Sequence, residues 1–244
     1  MSRETFMRAD LLIAELKAIG SKEKIGDYTR FFKTEPGQYG YGDLFLGVTI
    51  PQNRALCKKY QNLELTEINK LFISPYHEAR LAATIILNHK FKITKTTPER
   101  KKLFEFYIKQ VRAGWVNNWD IVDISAPYMG NFLNEFKDKN SLLLDLAASK
   151  SLWVRRTSIM LTFALIRQKD YHSTILISKT LLNDDHDLIH KAVGWMLREV
   201  GKRDLVILKD FLTNYATKMP RTMLRYAIEK FPENERKRWL KEGK

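Results

Sequence analysis

Apolar residues recur at three- and four-residue spacing through most of the chain, and strand-like alternation is nearly absent. That period is the one an amphipathic helix needs to keep its greasy side chains on one face. Leu11, Leu12, Ala14, Leu16 and Ile19 form such a face and predict a first helix over 3–19. A second is predicted over 21–33. Gly37, Gly40, Gly42 and Gly47 then punctuate a stretch with little apolar period, which predicts a loop. Pro51 suits the first turn of the next helix, where a missing N–H costs nothing. Thr66 reads as an N-cap, and Pro98 with Glu99, and later Pro220, open further helices.

The later helices repeat one form. Arg80-Leu-Ala-Ala-Thr-Ile-Ile-Leu, Arg156-Thr-Ser-Ile-Met-Leu-Thr-Phe, Lys191-Ala-Val-Gly-Trp-Met-Leu-Arg and Arg225-Tyr-Ala-Ile-Glu-Lys-Phe each start with a cation and continue with a mostly apolar run. The last three starts lie 35 and 34 residues apart, and the first gap of 76 is near two periods. Helix-pair solenoids of the HEAT type have about this period. The expected fold is therefore all-α: one HEAT-like helical-repeat solenoid domain over 1–244, with the repeated cations lining a concave basic surface.

Charge sharpens the picture. Lys and Arg number 42 against 28 acids, a net charge of +14. Such an excess opposes compaction and points to an anionic partner. The cations recur as Arg100-Lys101-Lys102, Arg155-Arg156 and Arg236-Lys237-Arg238, which favours a folded basic surface over a basic arm. With 44% hydrophobic and 29% charged residues the composition is that of a globular protein. No apolar run approaches the roughly 20 residues that span a bilayer, so no membrane is expected. Met1-Ser2-Arg3-Glu4 starts no secretion signal. The single cysteine, Cys57, reads as a small core residue, and a cytoplasmic setting fits.

Three segments carry candidate chemistry. Asn117-Asn118-Trp119-Asp120-Ile121-Val122-Asp123 places Trp119 and Asp123 four apart, on one helical face, with Asp120 near the helix start as a cap or dipole partner. The others are Ser151-Leu152-Trp153-Val154-Arg155-Arg156 and Lys191-Ala192-Val193-Gly194-Trp195-Met196-Leu197-Arg198-Glu199. Singly, each has a plain explanation: a core tryptophan, a capping aspartate, a solvated arginine. His186 and His190 could hold a metal, but a capped helix start with exposed histidines explains them better. There is no Cys-x-x-Cys and no phosphate-cradling glycine loop.

Taken together the segments resemble the DNA alkylation repair family, the AlkD-like glycosylases. The matching pattern is Trp-Asp-x-x-Asp, then Trp-x-x-Arg, then Lys-Ala-x-Gly-Trp-x-Leu-Arg-Glu. Upstream, Phe45-Leu46-Gly47-Val48-Thr49-Ile50-Pro51-Gln52-Asn53-Arg54 resembles the family's Gly-Val-x-x-Pro-x-x-Arg segment. The likeness runs from about residue 40 to about residue 200.

The resemblance implies a monofunctional DNA glycosylase of base excision repair, hydrolysing the N-glycosidic bond of purines alkylated at N3 or N7. It implies Asp123 as the carboxylate facing the sugar cation, and Trp119 and Trp195 as an aromatic pair. It makes Arg156 a contact to phosphates near the lesion and Arg54 a contact to the other strand. It also implies a lesion held at the protein surface without a base-specific pocket. Asn118 departs from the family, where an aromatic often precedes the matched tryptophan, so packing behind Trp119 is open to change. The expected partner is double-stranded DNA containing alkylated purines, bound by a monomer, with no cofactor and no metal. The rival readings are a non-catalytic DNA-structure binder on the same scaffold and a protein-binding solenoid.

Overall fold

The structure is a computed structural model that describes residues 7–242. Its described residues are helical throughout, apart from loops and one isolated parallel bridge between Leu44 and Tyr76. They fall into two compact units that divide between Ser125 and Ala126.

The first unit holds α1 (Ala9–Ala18), α2 (Lys22–Phe31), α3 (Ile50–Lys59), α4 (Leu65–Phe72), α5 (His77–Ile93), α6 (Thr97–Arg112) and the start of α7 (Trp119–Met129). The expected first helix thus begins at Ala9; its residues 3–6 lie outside those described. Thr49 and Gln52 form a capping box at the head of α3, with Pro51 in the first turn, so orphan N–H groups there are met within the loop–helix junction. At the head of α6 the Thr96 hydroxyl donates to Glu99 at 2.6 Å, with Pro98 in the first turn. The Thr66 expectation is corrected: α4 starts at Leu65 with Glu64 as its cap residue, because the Glu64 carbonyl already accepts from Ile68 at 2.9 Å. Leu12, Leu16, Leu63, Ile68, Leu71, Phe72 and Tyr107 are fully buried and form the core. Each such side chain removed from water contributes roughly 1.5–3 kcal/mol.

The second unit holds the rest of α7, a 3₁₀ helix (Gly130–Asn134), then α8 (Lys139–Ala147), α9 (Leu152–Leu161), α10 (Phe163–Arg167), α11 (His172–Thr180) and α12 (Asp187–Gly201). It continues through α13 (Leu205–Tyr215), α14 (Arg221–Ala227) and α15 (Glu233–Glu242). Its core includes Ile159, Leu161, Leu165, Met196, Leu197, Leu212 and Leu224. Pro220 caps α14 as expected. No helix among the described residues is long and apolar enough to cross a membrane.

The repeated cations do not share one environment. Arg80 and Arg156 are only 3% and 4% exposed, Lys191 is half-buried and pairs with Asp187 at 2.7 Å, and Arg225 is exposed. The expectation that all four line a surface is therefore corrected for the first two, whose guanidiniums are spent on internal acceptors.

Candidate functional site

A cleft of about 490 Å³ opens in the first unit between α2, the loop after it, α3, α5 and α7. The sequence explains why it is there. Glycines break the chain after α2, and the loop that follows is tied down by one buried carboxylate. Glu78, at the start of α5 and 2% exposed, accepts from the N–H groups of Leu46, Gly47 and Val48 at 2.9–3.1 Å. Gly47 has φ of +77°, and a β-carbon there would sit 2.1 Å from the Ser21 carbonyl oxygen. Only glycine fits that turn.

One wall of the cleft is aromatic. Trp119 stacks on Phe32, with ring centres 5.5 Å apart and planes at 21°. Phe31, 63% exposed, meets Trp119 edge-on at 5.8 Å. Phe32 stacks in turn on Phe45, and Phe45 on the His77 ring at 4.7 Å. Asp123 lies one turn beyond Trp119 on α7, half-buried, and lines the same cleft, as does Arg54 from α3. Three of the residues singled out by sequence, Trp119, Asp123 and Arg54, therefore meet in one site.

Beneath the rings lies a buried polar network that fixes the start of α7. The two nitrogens of His77 face the Asp43 and Asp120 carboxylates at 3.1 and 2.9 Å. Arg80 donates to Asp43 at 2.5 Å, to the Ser74 carbonyl at 2.7 Å and to Asn117 at 3.0 Å. Burial opposes charge on His77, but Asp120 and Asp43 outweigh it and push its pKa up to about 9. Burial likewise works against charge on Asp43, yet the hydrogen bond from His77 and the Arg80 charge hold its carboxyl below the usual range. Asp120 accepts from the Ile121 N–H at 2.8 Å, the first-turn role expected of it, while its other oxygen faces His77. Asn118 is fully buried, donating to Asp43 at 3.2 Å and accepting from the Trp119 N–H at 2.8 Å. It is a joint of this network, and Phe32 is the ring against Trp119.

Asp43, His77, Glu78 and the phenylalanine pair were not picked out from sequence. One signal was available: His77, Glu78 and Arg80 interrupt the apolar opening of a long helix. Charged groups inside an apolar run are buried with partners or not at all.

The remaining candidates lie in the second unit. Trp195, on α12, is half-buried with its ring tilted against Phe163 at 6.3 Å. Arg156, on α9, donates to the Leu188 carbonyl just ahead of α12's second turn. Trp153 packs in the core. His186 is the N-cap of α12, its Nδ1 accepting from the Leu188 N–H at 3.1 Å, and the His190 ring meets the Asp184 carbonyl. Both are half-buried, which corrects the expectation of exposed rings. Cys57 is buried, and burial pushes its thiol pKa up to about 12.

Among curated proteins there is no significant sequence match. Among solved structures, the chain is similar to a predicted DNA alkylation repair enzyme from Enterococcus faecalis, with a TM-score of 0.68 over 88% of this chain and 97% of that one. At 15% identity that likeness establishes the fold alone. The sequence family described as DNA alkylation repair enzyme matches residues 12–231, nearly the whole chain, and this protein belongs to that family.

Proposed function

We propose that the protein is a monofunctional DNA glycosylase that releases purines alkylated at N3 or N7 from duplex DNA. The observation that carries this reading is the meeting of Trp119, Asp123 and Arg54 in one ring-walled cleft. Alkylation at these nitrogens leaves the base positively charged and weakly bonded to its sugar. An aromatic wall suits such a cation, since a π-face attracts it by about 2 kcal/mol once water is excluded.

The reaction needs little from the protein. The C1′–N bond breaks, and its electron pair returns to the base and cancels the positive charge, so no acid is required. The deoxyribose is left as an oxocarbenium-like cation. The Asp123 carboxylate stabilises that cation and orients the water that adds to C1′, and the water's proton passes to the carboxylate or to solvent. The products are the free base and an abasic site. Arg54 meets a backbone phosphate. In the second unit, Trp195 takes the role of the other aromatic and Arg156 that of a second phosphate contact. For Arg156 this requires an internal partner to be exchanged for the anion. The partner is alkylated duplex DNA, bound by a cytoplasmic monomer, with no cofactor or metal.

Asp123→Asn tests the reading. An amide keeps the shape but loses the negative charge, so excision is expected to fall by about 100-fold or more, with duplex affinity retained. Excision within about threefold of the parent protein would remove Asp123 from the reaction.

A further inference from the structure

The cleft does not end at Arg54. A second groove of about 210 Å³ runs between α3 and α5, and Arg54 lines both. Its rim is polar and cationic: Arg54 and Lys58 stand one turn apart on α3, Gln61 follows in the turn after it, and His89 faces them from α5. Its floor is apolar, built from Cys57 and Ile85.

Among the described residues, no acid pairs with the charges of Arg54 and Lys58 on this rim. Neighbouring cations of the same unit are paired: Lys59 with Glu15 at 2.9 Å, Lys70 with Glu67 at 2.6 Å, Arg30 with Asp27 at 2.6 Å. None of the described residues lining the groove is an acid. Lys58 and Lys59 are adjacent in sequence, yet helical geometry turns them about 100° apart, one to the groove and one to Glu15.

We propose that this groove is a second binding site, which seats a phosphodiester backbone of the duplex whose nucleotide meets the cleft. The chemistry of the walls fits that ligand. A backbone alternates anionic phosphate with the apolar edge of deoxyribose, and the groove offers cations and an amide over an apolar floor. Arg54, shared by both cavities, meets the phosphate at the junction, and Lys58 meets one further along. Such contacts set register and affinity without reading sequence. The inference rests on the reading that the cleft receives a DNA nucleotide.

The test compares adjacent lysines. Lys58→Ala and Lys59→Ala each remove one exposed positive charge from α3, so general electrostatics changes equally. Affinity for an undamaged duplex is measured by fluorescence anisotropy over a range of salt, with the thermal midpoint of each variant as a check on folding. Lys58→Ala is expected to weaken binding several-fold and to lower the log–log salt slope by about 0.9, the signature of one lost phosphate. Lys59→Ala is expected to leave the slope unchanged. Equal shifts in the two variants, or none in Lys58→Ala, overturn the site. Excision of methylpurines is scored on the same preparations. A protein that excises nothing but shows the Lys58 slope change keeps the groove and loses only the glycosylase reading. One that excises but shows no slope change keeps the glycosylase and loses the groove.

Discussion

An imidazole held between two buried carboxylates is stable as a cation, and His77 is built for that state. Its pKa, about 9, lies above the 6.5 of an unperturbed histidine. A group whose folded pKa is raised contributes stability that is complete below its unfolded pKa and is lost as pH rises through the folded one. Protein stability is therefore expected to fall between pH 6.5 and pH 9, by on the order of 3 kcal/mol from this ring. Asp43 has the opposite sign: its pKa is lowered, so its contribution fades as pH drops below the carboxylate range. Urea unfolding at pH 6, 7.5 and 9 measures the first effect, and a flat profile would mean that His77 is neutral when folded. Trp119 makes a separate prediction. Its ring sits at the cleft surface and is only half-buried, so Trp119→Ala should depress excision far more than affinity for undamaged duplex. A buried core tryptophan would instead cost about 3–5 kcal/mol and lower every activity together. A collapse of the thermal midpoint with parallel losses would thus make Trp119 a packing residue. The i, i+4 spacing made Trp119 and Asp123 visible in the sequence. His77 showed only as a polar break in an apolar run; its role was hidden because its partners are Asp43, 34 residues away, and Asp120, 43 away.

At the scale of elements, Gly194 explains part of the motif Lys-Ala-x-Gly-Trp. A β-carbon there would lie 2.5 Å from the Met223 carbonyl oxygen and 2.5 Å from the Tyr226 β-carbon, so α12 and α14 approach through the missing side chain. Alanine would gain about 1 kcal/mol of helix propensity. Backbone and a β-carbon cannot step aside, however, and overpacking costs about 1–3 kcal/mol. Gly194→Ala is therefore expected to lower the thermal midpoint, and a midpoint unchanged or raised would show that α14 yields. Helix starts marked by proline were legible, as at Pro51, Pro98 and Pro220, because proline fixes the local backbone whatever surrounds it. The start of α4 was not, because Thr66 lies inside a helix that opens without any side-chain cap. The repeated cation was legible as a pattern but misleading as a surface: Arg80 and Arg156 open their apolar runs from inside the protein.

At the scale of the whole chain, net charge and helical period gave the class of partner and of fold. The family motifs, spread over α3, α7, α9 and α12, pointed to alkylation repair. The division into two compact units at Ser125 falls inside α7, where no glycine or polar linker marks it and Pro127, just beyond, is the one breaker within the helix. The +14 charge also overstates the surface available to DNA, since two arginines of the repeat are internal and many exposed cations are paired. What the molecule does with the rest is a question of chemistry. The most direct measurement is release of free base from a methylated duplex, with 7-methylguanine and 3-methyladenine quantified by chromatography and an undamaged duplex as control. An alkylpurine glycosylase working through Asp123 is expected to release base from the methylated duplex, to release none from the control, and to lose nearly all release in Asp123→Asn. Failure of the parent protein to release either base from a methylated duplex that it binds would contradict the glycosylase assignment.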